Sequence, residues 1–284
     1  MSRLWASAGE RVIGIVVSII LPVRNASETL ARAARSCIEQ SHTDLELIIV
    51  DDASTDDTPR VMGDLCAQDW RVRAIYLEGH RGVARAAEEG RRVASGEWCG
   101  RMDADDFSHP TRIERQLEFL EQHPDIAGCG TAVRVVGAPA ADPGRGFAEH
   151  ARWLGTLDRP EYLAAQRFVD SPVANPTGLV RASALEAIGG FKDPPWAEDY
   201  DSWLRLLDAG FAICNLGEVL LDWHDSSGRL TRTDPRYSGE MFSRAKAHYL
   251  AKLPMVRERG VEIAGAGPIG KRMARDLARE GVQA

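Results

Sequence analysis

Residues 12–52 read VIGIVVSIILPVRNASETLARAARSCIEQSHTDLELIIVDD, and their pattern decides the fold. Val12–Leu21 is close to continuous in apolar residues, as a strand covered on both faces must be. Leu30, Ala33, Ala34, Cys37 and Ile38 then fall on one helical face. Asn25 with Glu28 has capping-box spacing for the start of that helix, and Ser27 offers a second cap. Leu45–Val50 is a second buried strand that runs directly into Asp51 and Asp52. Strand, helix, strand at this spacing is a unit whose two strands run parallel.

The same alternation continues outward. Pro59 opens a helix carrying Val61, Met62, Leu65 and Cys66, and VRAIYL (72–77) is a third strand. A helix from about Gly82 to Ser95 stops at Gly96, EWCGRM (97–102) is a fourth strand, and Pro110 opens a helix with Ile113, Leu117 and Leu120 inward. Repeated strand–helix units predict an α/β, doubly wound, mostly parallel sheet flanked by helices. From Ile126 the pattern weakens. It predicts a strand at 126–137, a turn-rich loop at 138–146, helices at 160–168, 183–188 and 199–209, and short strands at 211–216 and 218–223. A long helix over 235–254 and a strand–turn–helix tail over 259–284 complete the chain.

Composition bounds the function. A length of 284 residues suits one large domain or two smaller ones, and 44% hydrophobic with 27% charged residues is a globular profile. The formal charge of −7, with scattered basic residues, argues against a nucleic-acid partner. Cys37, Cys66, Cys99, Cys129 and Cys214 are too dispersed for a disulfide framework or a CxxC metal site, which points to a reducing, cytoplasmic compartment. No apolar run reaches the ~18–20 residues of a membrane span, although peripheral membrane contact stays compatible with the sequence.

Three acidic clusters carry the chemistry. Asp51 and Asp52 follow a strand, at the sheet edge where open α/β folds bind ligands. Two carboxylates there can accept hydrogen bonds from a base imide and ribose hydroxyls, whereas Asp56 and Asp57 read as helix caps. Asp103-Ala104-Asp105-Asp106 follows another strand. In an extended segment Asp103 and Asp105 would face one point and suit Mg²⁺ or Mn²⁺ shared with a diphosphate, with Asp106 an alternative cap for the next helix. Glu198, Asp199 and Asp201 open a helix, where the helix dipole alone explains acidic residues. His224, at a strand end, is either a metal ligand or a half-exposed structural histidine.

Together these segments resemble family 2 glycosyltransferases of the GT-A, nucleotide-sugar-binding fold over about residues 15–232. The residues that carry the likeness are VSIILPVRNASETLARAARSCIEQS, LELIIVDDASTDDT, GRMDADDFSHPTRIERQ, NPTGLVRASALEAIGGFKD and AEDYDSWLRLLDAG, in the family's order. The resemblance implies a catalytic domain over 1–232 and an extension over 233–284. It implies that Pro22, Asn25 and Asp52 lie near the nucleoside with Asp51 beside them. Asp103 and Asp105 would hold the donor diphosphate through Mn²⁺ or Mg²⁺. Asp199 would be the general base of an inverting transfer from a nucleotide-sugar donor, UDP-linked by preference, to a hydroxyl on a glycan, lipid-linked glycan or surface-polymer precursor. Glu198 and Asp201 stand beside it as further candidates. Where the family shows a basic-Asn pair, this chain has Ala87, Glu88 and Glu89, so Arg85 is the nearby cation left for the donor.

Rival readings remain open at this point. Gly265-x-Gly267-x-x-Gly270 matches a dinucleotide fingerprint, but only 14 residues follow it, too few for the strand and acid that the motif needs about 20 residues on. It would serve an NAD(P)-dependent oxidoreductase or binding module. A sugar-1-phosphate nucleotidyltransferase would need a Gly-rich basic loop where LPVRNASE stands. A catalytically silent nucleotide-binding scaffold would bind donor without turnover.

Overall fold

Val17–Val23 (β1) is buried at every residue and pairs in parallel with Leu45–Asp51 (β2) on one side and Trp98–Arg101 (β4) on the other. Val72–Tyr76 (β3) extends β2, also in parallel. Leu30–Ile38 (α1), Thr58–Gln68 (α2) and Val83–Val93 (α3) are the crossovers. The computed structural model describes residues 17–137, 145–226, 228–265 and 267–284. Val12–Val16 of the expected first strand lie outside the described residues, and the strand runs on to Val23. Because all four strands point the same way, Val23, Asp51, Tyr76 and Arg101 come to one edge of the sheet.

The second half completes an eight-stranded sheet in the order β3-β2-β1-β4-β7-β6-β8-β5. Its elements are Phe107–Ser108 (β5), Arg112–Gln122 (α4), Ile126–Val136 (β6), Arg145–Leu154 (α5), Pro160–Gln166 (α6), Leu179–Arg181 (β7), Ala182–Ala187 (α7), Glu198–Asp208 (α8) and Ala212–His224 (β8). Leu230–Thr233 (α9), Gly239–Leu250 (α10), Pro254–Arg259 (α11) and Pro268–Arg279 (α12) follow. β7 is antiparallel to both β4 and β6, and β5 is antiparallel to β8, while β6 and β8 are parallel. The sheet is therefore mostly parallel, as expected, with two reversed strands that the sequence did not announce.

Other boundaries differ from expectation for identifiable reasons. Neither Asn25 nor Ser27 caps α1, which starts behind Thr29 without a side-chain cap. Asn25 takes φ 51° and accepts the Thr55 N–H at 2.8 Å, and the Ser27 N–H donates to Asp56 at 3.1 Å. These residues tie the loop after β1 to the loop after β2 instead. Asp57 stands at the N-cap of α2 without a cap bond, whereas Asp56 accepts the Thr58 N–H. Most of the expected 138–146 loop lies outside the described residues, and its end begins α5, which Ala151 and Leu154 bury. The two short strands at 211–223 are one strand, because Gly217 and Glu218 pass through a register shift rather than a turn. The expected 235–254 helix divides into a 3-10 turn at Pro235–Tyr237, α10 capped by Ser238, and α11 opened by Pro254.

The tail packs by apolar burial. Leu277 and Val282 sit against Ala247, Ala251 and Val256, and α8 is joined to α10 through Ala197, Tyr200, Leu204, Ala245 and Tyr249. Burying one such large side chain stabilises by about 1.5–3 kcal/mol. The strand expected at the start of the 259–284 tail is absent: the Val261 N–H donates to the Gln283 carbonyl at 3.1 Å, and Val261–Gly265 forms no ladder. Among the described residues no helix is long and apolar enough to cross a membrane.

Candidate active site

The edge that gathers the carboxyl ends of β1, β2 and β4 carries the first two acidic clusters. Asp51 and Asp52 are both buried, but they are used differently. Asp52 is fully engaged by the turn after β3: it accepts the Arg81 N–H at 2.6 Å and the Gly82 N–H at 2.8 Å, and lies 2.7 Å from His80 Nδ1. Gly82 has φ 88°, a conformation that favours glycine, and this turns its amide toward Asp52. Among the described residues Asp51 accepts only the Ser54 N–H, at 3.1 Å through Oδ1. The expectation put Asp52 first at the nucleoside. In the structure Asp52 also clasps the 80–82 loop, while Asp51 makes fewer hydrogen bonds. Pro22 lies within β1 opposite Val50, and Asn25 is held against Thr55. Arg85 is mostly exposed, 3.9 Å from Asp193.

The second cluster is a turn rather than an extended segment, with the Asp106 N–H directed to the Asp103 carbonyl at 3.4 Å. Asp106 does not cap α4, which Thr111 precedes. It is buried, accepts the His224 N–H at 2.8 Å, and has no partner for Oδ2. Burial, with Asp103 and Asp105 adding, holds its carboxyl well above the usual range. Burial likewise pushes Asp103 up to about 6, opposed by Arg101 and reinforced by Asp105. Three crowded carboxylates, one with an orphaned oxygen, make a set of hard oxygen donors of the kind a divalent cation takes. Among the described residues no three His, Cys, Asp or Glu side chains converge to hold a metal unaided. His224 is brought beside Asp106, but its Nε2 lies 3.0 Å from Arg32 Nη1. Burial and that guanidinium lower its pKa, so it is a neutral ring facing a cation.

The third cluster opens α8. Asp201 is a structural group: it accepts from Trp196 Nε1, Tyr249 Oη and Arg205 Nε at 3.0, 2.8 and 2.7 Å. Glu198 is buried and accepts the Tyr237 hydroxyl at 2.6 Å. Asp199 is half-buried and, among the described residues, takes only the Tyr200 N–H, at 2.7 Å. Burial first, and then Glu198, pushes it up to about 8, with Asp103 among the charges adding to the rise. A carboxylate with raised proton affinity and a spare oxygen suits proton abstraction near neutral pH. An open cleft of about 610 Å³ lies beside this region, between His80–Gly82 and Asp193–Pro195, with Arg236 on its wall.

Four residues beside these clusters were not singled out from sequence. Arg229 lies over the Phe147 and Trp223 rings at 4.9 and 4.8 Å and acts electrostatically on Asp103 and Asp106. Arg32 joins His224 to the Asp105 carbonyl. Tyr237, from the 3-10 turn before α10, reaches Glu198, and its neighbour Arg236 reaches Asp193 at 2.8 Å. The alternation of Pro235, Arg236 and Tyr237 gave no periodic signal, since the turn is placed by its partners and not by a buried stripe.

Comparison with known proteins agrees with this layout. The sequence profile of "Glycosyl transferase family 2" matches residues 18–189. "Putative glycosyltransferase EpsE" of Bacillus subtilis is 32% identical over 229 residues, covering 79% of this chain and 78% of that protein. "Putative teichuronic acid biosynthesis glycosyltransferase TuaG" of the same organism is 36% identical over 214 residues, covering 73% and 78%. Among solved structures, residues 1–349 of Staphylococcus aureus TarS in complex with UDP-GlcNAc superpose with a TM-score of 0.64 at 17% identity, over 93% of this chain and 71% of that one. The Pyrobaculum calidifontis mannosyltransferase PcManGT with GDP-Man and Mn²⁺ gives 0.59 at 18%, over 98% and 73%. The fold is thus of the GT-A type, and the chain belongs to glycosyltransferase family 2.

Proposed function

We propose that this glycosyltransferase is an inverting, divalent-cation-dependent enzyme that moves a sugar from a nucleoside-diphosphate donor to a hydroxyl of a polysaccharide or lipid-linked glycan precursor. The observation that carries the reading is that two carboxylate groups from different elements lie near enough to act on each other. Asp103 and Asp105 stand at the end of β4 and Asp199 at the start of α8, near enough that Asp103 raises Asp199. UDP is the preferred nucleotide, a choice supported by the UDP-GlcNAc complex of the TarS neighbour. A polysaccharide acceptor is supported by the names of TuaG and of "Succinoglycan biosynthesis protein ExoO". Five free cysteines suit a reducing, cytoplasmic setting.

The chain's own residues divide the work. Asp52, with Asp51 beside it, accepts from the nucleoside, and Asp52 also fixes the 80–82 loop that walls the cleft. Asp103 and Asp105 would hold Mn²⁺ or Mg²⁺, with donor phosphate oxygens completing the ligand set that the protein leaves short. Such a cation, when bound, supplies charge neutralisation for the diphosphate. Arg229, braced by two aromatic rings, adds a fixed positive charge on the same side. Asp199 takes the proton of the acceptor hydroxyl as its oxygen attacks the anomeric carbon opposite the departing diphosphate. Tyr237 keeps Glu198 in place beside it. His224 would be a further ligand through its Nδ1, which is buried and without a hydrogen-bond partner among the described residues, while Arg32 meets its Nε2.

A thermal-shift panel of UDP, GDP, TDP and CMP, each with Mn²⁺ or EDTA, tests the reading. A nucleotide at 100 times its Kd stabilises by about 2.7 kcal/mol, and UDP with Mn²⁺ should give the largest shift. No shift with any nucleotide would overturn the donor assignment.

A further inference from the structure

Arg101 closes β4 two residues before Asp103, and its side chain is 5% exposed. Its Nη2 lies 3.8 Å from Asp103 Oδ1, too far for a hydrogen bond, and its guanidinium sits 5.5 Å from the centre of the Phe191 ring. Its Nη1 is buried and has no hydrogen-bond partner. A buried guanidinium is costly unless its donors are satisfied, so an orphaned nitrogen calls for a specific explanation. Arg112, the other deeply buried arginine of this half, also leaves its Nη2 without a partner, but it is anchored by Ser108 Oγ at 2.7 Å and the Pro176 carbonyl at 2.8 Å and does not line the void beside Arg101.

The place of Arg101 supplies the explanation. It lines a void of about 10 Å³ together with Asn175, Phe191, Glu198, Asp199 and Ser202. That is room for about one oxygen-sized group. On the reading proposed above, Asp103 marks the diphosphate end of the donor and Asp199 the acceptor side, so the transferred sugar lies between them. Arg101 touches both neighbourhoods. Guanidinium offers only donors, and the carboxylates of Glu198 and Asp199 offer acceptors, so a hydroxyl fits the void by giving one hydrogen bond and taking another.

We propose that Arg101 is a donor-sugar contact: its Nη1 donates to one hydroxyl of the transferred sugar and thereby helps select which sugar is used. This rests on the glycosyltransferase site proposed above and goes beyond it by naming the residue that reads the sugar rather than the nucleotide. A site built to bond a hydroxyl discriminates strongly against the analogue that lacks it, because the buried partner is then left unpaired.

The test separates sugar from phosphate. Calorimetric Kd values are measured with Mn²⁺ for UDP and for whichever of UDP-glucose, UDP-galactose and UDP-N-acetylglucosamine binds the wild type most tightly, on wild type, Arg101→Lys and Arg101→Met. The expected result is a loss of about tenfold or more in affinity for the UDP-sugar, with UDP affinity within about threefold of wild type. An equal loss for UDP and UDP-sugar would assign Arg101 to the phosphates and overturn the proposal, as would no loss for either. Should the variants fail to fold, wild-type protein decides with deoxy analogues of the same donor. One ring position must cost about tenfold or more in Kd, and uniform binding of every analogue overturns the contact. If wild-type protein binds UDP but this contact fails, the proposed function stands without it. If wild type binds no nucleotide, the proposed function itself is what fails.

Discussion

The proposed donor half of the molecule, built on β1–β4, and the proposed acceptor half, built on β6–β8, α8 and the Pro235–Tyr237 turn, place their carboxylates by different means. In the donor half each acid stands at the end of a parallel strand, so local strand–helix units put Asp51 and Asp103 on one edge. In the acceptor half the reactive end of α8 is held by partners far away in the chain: Tyr237 on Glu198, Tyr249 on Asp201 and Arg236 on Asp193. The comparison teaches that donor binding should be robust to changes in the acceptor half, while catalysis should depend on both.

The largest effect is expected at Asp199. Asp199→Asn preserves shape and removes proton acceptance, so kcat should fall about 10²–10⁴-fold. Because burial and Glu198 hold Asp199 up to about 8, wild-type kcat/KM should fall as pH drops below that value, and the residual activity of the variant should lack this limb. Near-normal turnover in folded Asp199→Asn would move the base elsewhere.

A smaller effect is expected at Tyr237, which sharpens the comparison because it lies 39 residues from its partner Glu198 in the chain. Tyr237→Phe leaves a buried carboxylate oxygen without its donor, a cost of about 1–3 kcal/mol. We expect kcat to drop roughly tenfold with calorimetric UDP affinity unchanged. A matching loss of UDP affinity would show that the two halves are not separable.

The smallest effect on turnover is expected at the tail. Removing residues 260–284 takes Leu277 and Val282 off Ala247, Ala251 and Val256 and should lower the melting temperature. The acidic clusters all lie earlier in the chain, so kcat of the folded truncation should stay within about twofold. A large loss of kcat in soluble, folded protein would give the tail a part in the site.

The same contrast explains what the sequence made legible. The β1–β4 half was readable because fully buried parallel strands are written as unbroken apolar runs and their crossovers as 3.6-residue stripes. β5 and β7, of two and three residues, were missed because their pairing partners, β8 and β4, are distant in sequence and leave no local pattern. The GxGxxG segment met only half of its expectation: a helix follows the glycines, but no strand precedes them, so the motif matched spacing without its structural context. Asp51 and Asp52 could not be ranked from sequence, since their difference depends on amides contributed by Arg81 and Gly82. Asp103 and Asp105 were expected in an extended segment and lie in a turn, yet still act on each other electrostatically.

The central claim is the division between a metal-and-donor group and a base group. It is tested most directly by calorimetric UDP binding, with Mn²⁺ and with EDTA, on wild type, Asp105→Asn and Asp199→Asn. Mn²⁺ should tighten UDP binding to wild type, Asp105→Asn should lose most of that gain, and Asp199→Asn should keep it. Equal UDP affinity in Mn²⁺ and EDTA, or the same loss in both variants, would contradict that division.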